Sequence, residues 1–112
     1  MNLISRAEEL ILLAILSLED NAYGISILEF LQDKTGNVWS FAQIYDPLDR
    51  LSRKGFVKKR QGGSTPERGG RPKNFYNLTA DGRKALLEIR KVQDAVWDSI
   101  PENSLPEASD HA

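Results

Sequence analysis

The chain has no cysteine among its 112 residues, and its single histidine, His111, stands one residue from the end. Without thiols there is no disulfide framework, no thiolate metal site and no cysteine nucleophile, and a reducing compartment is comfortable. One histidine in a tail builds no metal constellation and no Ser-His-Asp arrangement. Long apolar runs are scarce as well. The longest, Leu10 to Leu18, includes Ser17 and is far too short to span a bilayer. Its flanks lack a basic segment and a small-residue cleavage site, which argues against a secretory signal. No internal repeat is visible. No Gly-rich phosphate loop stands between a strand and a helix: Gly62-Gly63 and Gly69-Gly70 read as hairpin flexibility. These absences leave no enzyme signature and no cofactor site, and they point to a soluble cytoplasmic protein.

What is present is charge, unevenly placed. Residues 50–73 hold nine basic side chains and one acid, Glu67, a local charge of +8. The rest holds six basic and fifteen acidic side chains, −9, so the formal total of −1 hides a polarised molecule. A compact cationic surface on an otherwise acidic protein suits a polyanionic partner held on one side. At this length one domain is expected, with 40% apolar residues to build a small core that a partner subunit would help to complete.

Hydrophobic spacing orders the elements. Ser5 and Glu8 fit a capping box ahead of Leu10-Ile11-Leu12-Leu13-Ala14-Ile15-Leu16, a run apolar on so many faces that the first helix should be buried on most sides. Asp20-Asn21 breaks it. A second helix is expected from about Tyr23 to Lys34, with Ile27, Leu28 and Leu31 inward and Gly36 as its stop. Ser40 caps a third helix, with Gln43 at the box position. Ile44, Leu48 and Leu51 set its core face, and Ala42, Gln43, Asp46, Asp49, Arg50 and Arg53 fall opposite. Pro47 removes a backbone donor and should kink or loosen the first turns. After Gly55 the period shortens. Phe56 to Gln61 and Phe75 to Leu78 read as a hairpin with a tip of about a dozen residues rich in Gly, Pro and Arg. Thr79 then caps a long fourth helix that Pro101 ends near Ile100.

Three helices, a basic hairpin and a long helix make a mainly α (α+β) fold, a winged helix-turn-helix. The expected organisation is a DNA-binding domain over 1–79 with its wing at about 56–78, a dimerisation helix over 80–101, and a frayed acidic tail over 102–112. A helix about 10–12 Å wide fits the major groove of double-stranded DNA, and a hairpin tip can reach an adjacent phosphate line or minor groove.

Several segments resemble the PadR-like transcriptional regulators. They are Ala22-Tyr23-Gly24-Ile25, Trp39-Ser40, Ile44-Tyr45, Leu48, Arg50-Leu51, Lys54-Gly55-Phe56-Val57 and, most specifically, the stretch from Gly69-Gly70-Arg71-Pro72-Lys73 through Asn77-Leu78-Thr79-Ala80-Asp81-Gly82. The resemblance covers roughly Leu10 to Leu86. It implies a homodimeric bacterial DNA-binding repressor, often tuned by a small ligand or by cell state, of the short subgroup with a single C-terminal helix. One departure stands out. Where the family commonly places proline directly after the third-helix tyrosine, this chain has Asp46 and then Pro47, so groove contacts there are not carried over.

On this reading Gln43 reads adenine, and Arg50 and Arg53 read guanine or hold phosphate, unless this is simply a polar solvent face; Asp46 and Asp49 either accept from cytosine or pair with Arg50 or Arg53 to orient them. Tyr45 reaches a phosphate or packs. Ser40, Ala42, Lys54, Lys58, Arg60, Arg68, Arg71 and Lys73 complete the DNA surface. Leu86, Ile89, Val92, Val96 and Ile100, with Trp97, form a seam for a homodimer that would read an inverted repeat. Trp39 and Trp97 are core or interface residues by default, or else a slot for a planar aromatic effector. The alternative is a ligand-sensing or protein-interaction winged-helix module without strong DNA binding.

Overall fold

The computed structural model describes residues 4–64 and 72–107. Helix α1 (Arg6–Leu18) passes through a 3-10 turn (Glu19–Asn21) to α2 (Gly24–Thr35) and α3 (Phe41–Arg53). An antiparallel hairpin of β1 (Val57–Ser64) and β2 (Pro72–Leu78) leads to α4 (Ala80–Asp98). The result is a winged helix. Among the described residues no helix is long and apolar enough to cross a membrane.

Local chemistry sets the helix ends. The Ser5 hydroxyl accepts from the Glu8 N–H (3.1 Å), and the Glu8 carboxylate accepts from the Ser5 N–H (2.8 Å). Ser40 and Gln43 repeat the device at α3 (3.2 and 2.8 Å). Gly36 closes α2 at φ 71°, a left-handed conformation that costs glycine little, and its N–H bonds the Gln32 carbonyl. Tyr23 is not the first helical residue. It is extended and caps α2, with its N–H on the Ser26 hydroxyl (2.9 Å).

Pro47 does not break α3. It lies buried inside an unbroken helix. The carbonyl deprived of its partner, that of Gln43, belongs to an exposed residue, where water can take up the lost bond.

The core gathers Ile11, Leu12, Ala14 and Ile15 of α1, Ile27 and Leu31 of α2, and Ile44, Leu48 and Leu51 of α3. Phe56, Val57, Tyr76, Leu78 and Leu86 close it. Burying each large aliphatic side chain contributes about 1.5–3 kcal/mol. As expected, α1 is covered on most sides, and its exposed strip runs through Leu13, Leu16 and Ser17. One expectation needs correction. Leu86 lies in the chain's own core at 9% exposure rather than on a free seam.

The hairpin strands are longer than the sequence pattern suggests. Val57 pairs Leu78 and Arg60 pairs Phe75, and the register shifts between Gln61 and Ser64. The hairpin is also not free-standing. Tyr23 forms a bridge to Phe75, and the Tyr76 N–H donates to the Ala22 carbonyl (2.8 Å). The start of α2 therefore acts as a third edge beside β2.

Helix α4 is rooted in backbone. The Thr79 N–H donates to the Phe56 carbonyl (3.0 Å) and its hydroxyl to the Gly55 carbonyl (2.6 Å). Gly82 is buried against the same peptide: a Cβ there would fall on the Phe56 carbonyl oxygen. Beyond Leu86 the helix outruns the body. Val92, Val96, Trp97 and Ile100 are 44%, 59%, 61% and 37% exposed.

Candidate nucleic-acid interface

The outward side of α3 is a polar ridge on an apolar base. With Ile44, Leu48 and Leu51 buried, Ala42, Gln43, Asp46, Asp49, Arg50 and Arg53 are exposed. Arg53 pairs with Asp49 one turn earlier, so the aspartate aims an arginine along the ridge. The Gln43 amide oxygen is already engaged, accepting from the Ser40 N–H (2.8 Å). A bidentate contact of Gln43 to adenine needs that oxygen and would open the cap. Tyr45 leans the other way. It is half-buried, it stacks on Phe41 (centroids 6.3 Å apart, planes at 27°), and its hydroxyl fills the place a Cβ at Gly24 would occupy. Packing between α2 and α3 is thus its first role.

The carboxyl end of α3 is tied to α1. Glu8, 3% exposed, lies 3.1 Å from Lys54 Nζ and 3.6 Å from Arg50 Nε. Burial pushes its carboxyl up. The Ser5 backbone N–H and the Lys54 ammonium outweigh that, and Glu8 titrates below its ordinary value. Neighbouring Glu9, also buried, accepts from Gln93 Nε2 at 3.2 Å on each oxygen. Two adjacent acids therefore join α3 to α4 through α1. Sequence reading missed both in these roles. The only signal was the capping-box position of Glu8, which explains the Ser5 bond and not the cations.

The wing divides its cations. Lys58 and Lys59 are exposed on β1. Lys59 borders a cleft of about 280 Å³ between α3 and the wing, shared with Tyr45, Asp49 and Ser52. Arg60 reaches back, donating to the Asp20 carbonyl (3.0 Å) and lying 4.7 Å over the Phe75 ring. Lys73 corrects the sequence reading. It is only 6% exposed, with Nζ 3.5 Å from the centre of the Tyr23 ring and 5.5 Å from that of Phe75. A cation held on two aromatic faces fastens the wing to the start of α2 in the free chain. Arg68 and Arg71 lie outside the described residues.

The two tryptophans are not brought together within the chain. Trp39 joins α2 to α3, its indole N–H on the Thr35 hydroxyl (3.0 Å) and its backbone N–H on the Gln32 amide oxygen (3.1 Å). The groove that Trp39 lines with Val38, Ala42 and Pro47 does not include Trp97, which stands exposed near the end of α4. Ile89 is half-buried, and Val92, Val96, Trp97 and Ile100 continue its face outward.

Comparison with known proteins places this geometry. The sequence model of the transcriptional regulator PadR-like family matches residues 12–88. Among solved structures, a transcriptional regulator from Clostridium thermocellum, Cth-833, superposes with a TM-score of 0.70 at 21% identity, covering 92% of this chain and 100% of that one. The PadR-like regulator BC4206 of Bacillus cereus gives 0.70 at 23% identity, covering 89% and 92%. A PadR-like transcription factor from Bacteroides fragilis gives 0.67 at 23%, covering 84% and 88%. At these identities the structures speak for the fold. No curated protein matches the sequence.

Proposed function

The chain belongs to the PadR-like family of transcriptional regulators, which are not enzymes, and from that premise we propose that it is a cytoplasmic homodimeric repressor that binds an inverted repeat in double-stranded DNA. Residues 1–79 would hold the DNA and 80–101 the second subunit. The observation that carries the DNA reading is the shared side of α3 and the wing. Asp49, which holds the exposed Arg53, and Lys59 of the wing line one cleft, and Arg50, Arg53 and Lys59 all belong to a segment whose charge is +8. Cations on such a surface exchange condensed counterions for phosphates, and the polar ridge offers groups to base edges.

The dimer reading rests on α4. A helix that leaves Val92, Val96, Trp97 and Ile100 to solvent gains by pairing that face with a second copy. A two-fold axis would then set two recognition helices about 34 Å apart on one side of the duplex. Selection of bound sites from random DNA, with sedimentation at micromolar concentration, tests both halves. An enriched inverted repeat and a dimer are expected. A monomer that selects an unpaired half-site would overturn the assembly. Failure to retain any DNA at low salt would overturn the function. A planar aromatic effector at Trp97, as an added input, would be read by quenching of its fluorescence.

A further inference from the structure

The first residue of α3 is a phenylalanine that the winged-helix core does not use. Phe41 is 55% exposed, on a helix whose exposed side is otherwise polar or small. An aromatic side chain serving only the core would be covered, and Phe41 is not among the buried cluster or the residues packed on it. Nor is it loose. Its ring stacks on Tyr45, and Tyr45 is fixed because its hydroxyl occupies the space left by the missing side chain of Gly24. Phe41 is thus a rigid apolar plate at the amino end of α3, ordered before any partner arrives.

The major groove offers one apolar group on its base edges, the C5-methyl of thymine. The amino-terminal residues of a recognition helix are those that meet base edges. We infer that Phe41 is a specificity-determining residue that reads thymine by its methyl group. This rests on the proposed DNA-binding function and deepens it. Phe41 has no hydrogen-bonding atom, so its discrimination comes from apolar contact alone. Its neighbours agree with that occupant: Ala42 beside it is small, and Lys59 stands in the cleft next to Tyr45, suited to the phosphates flanking such a base. Exposed Val38 lies in the turn before α3 without a comparable support and is not assigned this role.

The test deletes the methyl and nothing else. From a site selected by the wild-type protein, each thymine is replaced in turn by deoxyuridine, and affinities are measured for wild type, Phe41→Ala and Phe41→Leu. A buried methyl group is worth about fourfold in affinity. At one thymine in each half-site, deoxyuridine is expected to weaken wild type about that much, to leave Phe41→Ala unchanged, and to affect Phe41→Leu at an intermediate level. Circular dichroism and thermal melting of the variants establish that they are folded. Equal deoxyuridine sensitivity in wild type and Phe41→Ala at every thymine overturns the inference, as does no sensitivity anywhere. Both results leave the selected site, and hence DNA binding, standing. If the wild type selects no DNA, both readings fall together.

Discussion

The first and last helices carry similar apolar stripes and meet opposite fates. In α1, Ile11, Leu12, Ala14 and Ile15 are at most 1% exposed. In α4, burial stops at Leu86, and the apolar residues from Val92 to Ile100 are between 37% and 61% exposed. The side chains are of one kind, so the difference lies in the neighbours. Helix α1 is packed against α2, α3 and β2, while α4 keeps its hold on α1 through Gln93 and leaves the apolar residues beyond Ile89 exposed. In the proposed dimer, a second copy would cover the stripe that the chain itself leaves exposed.

Placing a charge on each helix tests that contrast most severely. Leu12→Asp puts an unpaired carboxylate at a fully buried position, a cost above about 5 kcal/mol, comparable to the whole stability of a small domain. Loss of the cooperative melting transition is expected. Val92→Asp should leave the isolated subunit within about 0.5 kcal/mol of wild type, since the site is exposed there. It should instead weaken dimerisation by several kcal/mol. Sedimentation and a melt at high dilution separate the effects, and a melt that falls as far as that of Leu12→Asp would erase the contrast.

The junction of α1 with α3 gives a smaller effect. Glu8→Gln removes the anion facing Arg50 and Lys54. Because those partners are 49% and 37% exposed, about 1–2 kcal/mol is expected at neutral pH rather than the larger value of a sealed pair. The folded-state pKa of Glu8 is depressed, so its contribution is present above the ordinary glutamate value and is lost as pH falls through the folded value below it. Denaturant titrations at descending pH should therefore show the gap between wild type and Glu8→Gln closing. A gap that widens on acidification would contradict the depressed value.

The smallest effects separate cations of the wing. Lys59→Ala should reduce the slope of log affinity against log salt by about 0.9. Lys73→Met should leave that slope alone and cost about 1–2 kcal/mol of stability through the lost aromatic contacts. Equal slopes for the two variants would show that Lys73 leaves its aromatic seat on binding DNA.

The sequence made local features legible and hid those built across distance. The caps at Ser5, Ser40 and Thr79, the stop at Gly36 and the α3 core face of Ile44, Leu48 and Leu51 all follow from contacts within a turn or two. Pro47 stays inside a continuous helix, where the carbonyl it leaves without a donor belongs to an exposed residue, and spacing does not reveal that exposure. Lys73 shows the reach of distant partners. A lysine in a basic segment reads as a phosphate ligand until Tyr23, far earlier in the chain, is found beneath its ammonium. Glu8 read only as half of a capping box and Glu9 carried no reading, because their further partners arrive from α3 and α4. On the candidate interface, polarity marked the ridge of α3. The same habit passed over Phe41, whose apolar exposure only the fold discloses.

Gly82 has a mechanical meaning. Nineteen residues of α4 form an arm about 28 Å long at about 1.5 Å per residue. Its pivot is the contact between Gly82 and the Phe56 peptide, immediately after α3. A tilt of about 5° at that pivot carries the far end roughly 2 Å, more than half the ~3.4 Å rise of one base-pair step. In the proposed dimer, a single methyl group at position 82 would therefore act as a shim, changing the distance between the two reading heads without touching either.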